Sequence, residues 1–437
     1  MGIIDLIKGV YRRLFPLKNI EEALHVRTAL SQGMADRIGL WRRLYTGHAP
    51  WLDERTESLR LESSIVREFA NVALNEMTTK VTNKTLDGLL NSAKNRLNPN
   101  LQRGLATGAM IMKPLENNAV QFVAATGFIP VEYSVDGRLR DVVFPEYKQL
   151  GNRFYTRLER HRLSAGGLEI TNLAFVSDTR EALGRPVPLS EVEEWRDIRE
   201  GVVFPKMERM PFGYYCNPLD NTVDESRAPI SVFENAVGKI KKADIQFGRL
   251  DFEFESARRR IHADISAVKR VDGGYELDDV YVDVDGDNDD FYREFSPALR
   301  QEGFIAGLEE YKREIEFAVG LSYGDLSNPQ YVEKTATEVN ASKIRKRNTV
   351  DKIQEQLKAC LDDFVYALAF YNRLTLSGYE FSCDFKDSIL NDEQSEREED
   401  RKDLANGTLR PEEYRAKWRN ESLAEAKSNI PDAAEVD

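Results

Sequence analysis

The chain has 437 residues, 41% of them hydrophobic and 31% charged, long enough for two or three structural units around a sizeable core. Its net charge of −13 excludes a nucleic-acid binder that grips phosphates over much of its surface, but not a protein that lets DNA slide past. The cysteines, Cys216, Cys360 and Cys383, are odd in number and form no CxxC pair, which points to a reducing compartment and away from a zinc site.

At the N-terminus, Ile3, Ile7, Val10 and Leu14 recur at helical spacing with Lys8, Arg12 and Arg13 between them. No apolar run is long enough for a signal peptide or a spanning helix, and Leu6 stands where a myristoylation motif requires Ser or Thr. The pattern predicts an amphipathic helix docked on its own protein rather than on a membrane. Residues 1–125 read as mostly helical: Leu59, Ile65, Phe69, Val72 and Leu74 share a broad apolar side, and "PNLQRGLATGAMIMKP" continues the pattern. From about 119 to 215 apolar and polar residues alternate instead, with an Asp136-Gly137 turn, so an antiparallel sheet is expected.

The helical period returns at Pro229. Phe233, Val237, Ile240, Ala243, Phe247, Leu250 and Phe254 form one apolar stripe. A basic knot, Arg258, Arg259 and Arg260, follows, then a short strand pattern and the acidic stretch "VYVDVDGDNDDFYREF". A second helix carries Phe304, Leu308, Tyr311, Ile315 and Ala318, with Pro297 at its start. Only about forty residues separate the two helices, so they are expected to run antiparallel with a small module at the far end. The turn-rich "GLSYGDLSNPQYVEK" comes next, then a long helix from near Thr337 with Val350, Ile353, Leu357, Leu361, Phe364, Leu368 and Tyr371 as its stripe. The C-terminal segment is charged and helical, broken at Asn406-Gly407.

Two stretches imitate chemical motifs. Asp283, Asp285, Asp287 and Glu294 stand at positions 1, 3, 5 and 12 of an EF-hand loop, a weak calcium candidate. Position 6 is Asn288 rather than glycine, position 8 is Asp290 rather than an apolar residue, and the lead-in alternates as a strand. A solvated acidic turn pivoting on Asp285-Gly286 accounts for it without metal. "GLSYG" at 320–324 matches the GxSxG nucleophile elbow, but a helix precedes it and His25, His48, His161 and His262 all lie upstream of Ser322, so the required triad order is impossible. There is no Walker A sequence and no HExxH. The Arg258–Arg260 knot suits phosphates or a partner's acidic surface, or simply complements a helix C-terminus. Lys343, Arg345, Lys346 and Arg347 open the long helix, where the macrodipole prefers acids, so an acidic neighbour or partner is expected there.

The joint order of these parts, with "WLDERTESLRLESSIVREFANVALNE", the helix 231–254 and "VEKTATEVNASKIRKRNTVDKIQEQL", resembles the portal proteins of tailed bacteriophages, most closely those of phages or prophages of Gram-positive bacteria. The likeness covers nearly the whole chain and lies in the order of elements, not in a catalytic signature. It implies an α+β, mainly α, portal fold: a wing at 1–229 containing the sheet, stem helix 1 at 230–259, a clip at 260–296, an antiparallel stem helix 2 at 297–320, a tunnel loop at 321–336, a long wing helix at 337–375 and a C-terminal helical crown and tail at 376–437. It also implies a structural protein of the virion, without enzymatic activity or cofactor. Rings of usually twelve subunits would assemble in the host cytoplasm and sit at one capsid vertex for genome packaging, retention and ejection.

The partners so implied are a large terminase, which would hydrolyse the ATP, head-completion or adaptor proteins, major capsid and scaffolding proteins, and double-stranded DNA contacted without sequence preference. No membrane is involved. Asp325, Asn328, Gln330, Tyr331 and Lys334 are the channel-facing candidates of the tunnel loop; Arg258, Arg259, Arg260, Asp285, Asp287 and Asp289 are those for partner docking at the clip. Two other classes fit less well: a different capsid-associated head–tail connector, and a calcium-dependent hydrolase using Asp283–Glu294.

Overall fold

A computed structural model describes residues 17–115, 118–256, 260–263, 270–271, 274–275, 281–283, 292–295, 298–329, 336–385, 393–419 and 421–430. The protein is a mixed α+β structure, mainly α, with about 48% helix and 21% strand. It divides into two compact units, residues 1–73 with 80–382, and residues 74–79 with 383–437.

The larger unit opens with helices α1 (Leu17–Leu24), α2 (Gln32–Tyr45) and α3 (Leu61–Leu74). The Ser31 hydroxyl caps α2 by accepting the Met34 N–H at 3.0 Å. After strand β1 (Thr78–Val81), Asn83 caps α4 (Lys84–Lys94) through the amides of Thr85 and Leu86. Helix α5 (Leu97–Thr107) then ends sooner than its pattern predicts. Gly108 takes φ +100°, and a Cβ there would lie 2.4 Å from the Pro229 carbonyl oxygen. Only glycine tolerates both. "AMIMKP" therefore does not continue the helix: it is strand β2 (Ala109–Pro114), buried on both faces between β3 (Val120–Ala124) and a later strand. A run of apolar residues without alternation suits a fully buried strand as well as a helix, and here the glycine decides.

The expected antiparallel sheet follows as β4 (Ile129–Tyr133), β5 (Leu139–Leu150), β6 (Arg153–Ser164), β7 (Gly167–Ser177) and β8 (Arg185–Val187), paired in that order, with β9 (Gly201–Phe204) also on β7. Alternation puts Val143, Leu158 and Phe175 on one face, against Ile20 of α1. Tyr155, Ala174 and Val176 lie on the other, under Leu189, Val192 and Trp195. Strand β10 (Gly213–Cys216) closes the β10-β2-β3 sheet.

Helix α6 (Val237–Ser256) leads into a tip of short strands, β11 (Arg260–Ala263), β12 (Arg270–Val271), β13 (Gly274–Tyr275), β14 (Tyr281–Asp283) and β15 (Tyr292–Phe295). Helix α7 (Gln301–Val319) returns from it, and α8 (Ala336–Tyr371) runs for 36 residues across the unit. Of the stripe expected of α8, Val350, Ile353, Leu357, Leu361, Phe364 and Leu368 are all 1% exposed or less, while Tyr371 at its end is exposed. Strand β16 (Phe381–Asp384) pairs with β1. The smaller unit holds α9 (Glu393–Ala405), α10 (Pro411–Arg419) and α11 (Leu423–Ser428), with Gly407 in the break after α9. Trp418 and Lys417 both donate to Asp400, and a Ser422–Glu425 capping box starts α11. Among the described residues, no helix is long and apolar enough to cross a membrane.

Candidate functional site

The α6–α7 pair and the turn after it are tied together by buried and half-buried polar contacts. Three contacts fix the helix pair: Lys239 with Glu314 at 3.3 Å, the Gln246 amide donating to the Phe304 carbonyl at 3.4 Å, and Arg300 with Glu253 at 2.6 Å. Numbers rise on α6 as they fall on α7, so the helices run antiparallel. Val237, Ile240, Ala243 and Leu250 of α6 and Leu308 and Ile315 of α7 are buried, but Phe252 and Phe254 are exposed.

At the far end of this pair, β11 lies between β14, to which it is parallel, and β15, to which it is antiparallel. Asp283 ends β14 and Glu294 lies in β15, so the would-be calcium loop is flanked by strands where an EF-hand requires helices. Asp285, Asp287, Asp289, Arg258 and Arg259 lie outside the described residues, and Arg260 opens β11. Among the described residues, no three His, Cys, Asp or Glu side chains are grouped to hold a metal ion.

At the other end, α7 stops at Gly320, a left-handed C-cap whose N–H returns to the Glu316 carbonyl. The chain then wraps around the Glu316 side chain, which is fully buried. Its Oε1 accepts the backbone N–H groups of Gly324 (3.1 Å), Leu326 (2.6 Å) and Ser327 (2.8 Å), and Oε2 accepts the Ser327 hydroxyl (2.9 Å). Two turns earlier on the same face, Glu309 accepts the Asn328 N–H at 2.6 Å while its other oxygen holds Lys312 at 2.8 Å. A carboxylate that gathers successive amides is the inverse of an anion-binding nest: here the anion belongs to the helix, and the loop folds onto it.

A second clamp joins the loop to α3 and α8. The Lys346 ammonium, 8% exposed, meets Glu68 at 2.6 Å and Asp325 at 3.0 Å. Asp325 also accepts the Ser322 N–H at 2.9 Å. Burial pushes the Asp325 carboxyl up, against the pull of Lys346. Burial also opposes the Lys346 charge, but its hydrogen bond to Glu68 and the two carboxylates raise its pKa. One ammonium serves both carboxylates, which keep Lys346 charged despite its burial. The acidic neighbours expected for the basic start of α8 are thus Glu68 and Asp325.

Of the channel-facing candidates, Asp325 is turned inward on Lys346, Asn328 is exposed although its backbone N–H is anchored on Glu309, and Gln330, Tyr331 and Lys334 lie outside the described residues. Glu316 and Glu309 were not singled out from the sequence, and Lys346 was read only as part of the basic start of α8. Beside the loop, Pro218, Leu219, Val232, Val319, Ile344 and Arg345 line a groove of about 350 Å³. Arg345 lies over the rings of Phe317 (4.5 Å) and Tyr323 (5.4 Å), and its buried Nη1 has no hydrogen-bond partner.

A further charged cluster lies inside the unit. Lys113 of β2 pairs with Glu159 of β6, which also bonds Nε2 of the fully buried His161 at 2.5 Å and meets Arg157 at 3.2 Å. Burial opposes the Glu159 charge, but the His161 bond and the charges of Lys113 and Arg157 hold its carboxyl well below the usual range. Burial likewise lowers the His161 pKa more than Glu159 raises it. We assign a neutral His161 donating Nε2–H to an ionised Glu159, since two cations already balance that carboxylate. The Lys113–Glu159 pair ties β2 to β6.

No family model matches the chain, and no curated protein matches it either.

Proposed function

We propose that the chain is the subunit of a phage portal, a ring through which the genome enters and leaves the capsid. The observation that carries this reading is the order of the parts. An antiparallel helix pair has a strand-built tip at one end, and at the other an anchored turn that feeds a 36-residue helix. In this reading α6 and α7 are the stem, the tip is the clip that meets terminase and adaptor proteins, and the segment after Asn328 is the tunnel loop.

Two properties support it. Phe252, Phe254, Phe317 and Ile344 are exposed on these helices, a surface suited to covering by neighbouring subunits. The anchored turn spends its charges internally, on Lys346 and on backbone amides, so little is left to hold phosphates; a channel must touch DNA lightly. The chain performs no chemistry of its own here, and ATP hydrolysis belongs to the terminase.

The test is to replace residues 330–334 by a Gly/Ser segment of equal length. Cutting out Ser327 and Asn328 would remove the anchor as well, because both are bonded to α7 carboxylates. Rings should form, while DNA packaging or retention falls. Loss of assembly would place this loop outside the channel, and unchanged packaging would remove its role.

A further inference from the structure

Residues 51–60 cross α6 as a strap. Asp244 of α6 is fully buried; its Oδ2 accepts the Trp51 indole N–H at 2.8 Å and its Oδ1 the Leu59 amide at 2.9 Å. One turn further, a Cβ on Gly248 would lie 2.4 Å from the Arg55 carbonyl oxygen, so the strap rests directly on the helix backbone. Arg55 also reaches over the Phe252 ring at 5.8 Å. The strap ends at Arg60, at φ +56°, and α3 begins.

The second residue of α3 is Glu62. It is 1% exposed, and neither carboxyl oxygen has a hydrogen-bond partner. Burial acts on it most strongly, and its own backbone amide, which favours the charged form, comes next. The charged groups that face it are Asp244 from α6, which opposes ionisation, and Arg60 from the strap, which favours it less strongly. Asp244 accepts two donors from the strap and Glu62 accepts none from it, so the two buried carboxyls are satisfied unequally.

We propose that the strap is a proton-operated latch on α6, seated while Glu62 carries a proton and released when that proton passes to solvent. An ionised Glu62 adds a second negative charge to that of Asp244, with only its own backbone amide and the more weakly acting Arg60 to offset the loss of water. The least costly relief is local: lifting residues 51–60 breaks the two bonds to Asp244 and admits water, while the sheets and α8 stay folded. Burial, with the Asp244 charge adding to it, pushes the Glu62 carboxyl up to about 7, and burial raises Asp244 as well. The latch therefore works near neutrality. It does not depend on the portal reading.

Hydrogen exchange on the full-length protein tests it, read as protection of residues 51–60 after correction for intrinsic rates. With Glu62 titrating at about 7 when seated and about 4.5 when released, protection should fall on the order of 70-fold between pH 5 and pH 8.5. Protection of β6 should change little, and Glu62→Gln should flatten the response. Glu62→Met, similar in volume and without polar atoms, serves where the Gln amide prevents folding. A change below twofold in the wild type, an equal change in β6, or a variant that keeps the full pH dependence would each overturn the latch.

Discussion

Replacing Glu316 by Ala removes the acceptor of three backbone N–H groups and one hydroxyl at a fully buried position. Each such bond to a charged acceptor contributes about 1.5–3 kcal/mol net. The full sum is not lost, because a freed loop turns its donors to water. The ceiling is the cost of detaching residues 321–328 and hollowing the site, about 3–5 kcal/mol. Glu316→Gln keeps a carbonyl oxygen for the three amides but loses the charge, and neutral bonds are roughly half as strong, so about 1.5–2 kcal/mol is expected. Glu310→Ala, on the exposed side of α7 with a surface pair to Arg313, is the control and should cost about 0.5 kcal/mol. Denaturant unfolding gives the energies, and hydrogen exchange reports the amides of Gly324, Leu326 and Ser327. If Glu316→Ala costs no more than Glu310→Ala, or those amides keep their protection, the carboxylate does not hold the loop.

Gly248→Ala should destabilise by about 1–2 kcal/mol, because the clash with the Arg55 carbonyl outweighs the roughly 1 kcal/mol that alanine gains in a helix; a thermal melt shifted upward would deny that the strap rests on α6. Stability should peak on the mildly acidic side. Glu62, raised from 4.5 to about 7, contributes fully below about 4.5, and on the order of 3 kcal/mol is lost as pH rises through about 7; Asp244, also raised, acts in the same sense. Glu159, held low, works oppositely and loses its contribution as pH falls below about 4.5. Denaturant midpoints from pH 4 to 9 check this, and a profile rising through pH 8 would contradict it. Ile344→Asp should leave the subunit folded but weaken its association, since burying an isoleucine contributes about 1.5–3 kcal/mol; unchanged particle mass at low concentration would show that this groove is not covered by a neighbour.

The long helices were legible because each buries one stripe: Ile353, Leu357, Leu361 and Phe364 recur at the helical period whatever they pack against. The sheet was legible from alternation and from Asp136-Gly137. Strand β2 was not, since "AMIMKP" is apolar throughout and periodicity cannot separate a buried strand from a buried helix. The signal was Gly108, a stop at the end of the helical pattern.

The anchor was missed for a different reason. A glutamate on a helix usually faces water, and composition does not tell Glu316 from exposed Glu314. A signal existed: Glu309 and Glu316 are seven residues apart, beside the stripe residues Leu308 and Ile315, and a turn rich in free amides follows. Glu62 and Asp244 were hidden similarly, each in a segment with ordinary helical charge, because their burial depends on residues almost two hundred positions away. What the sequence did carry was the order of parts on which the functional reading rests.

The central claim is that this order builds a ring with the α6–α7 pair around a channel. End-on electron microscopy of the purified full-length protein tests it most directly. The account predicts a closed ring, of about twelve copies, with a central opening wide enough for a DNA duplex and the helix pairs arranged around it. Monomers or dimers under every assembly condition, or a closed particle without an axial channel, would contradict it.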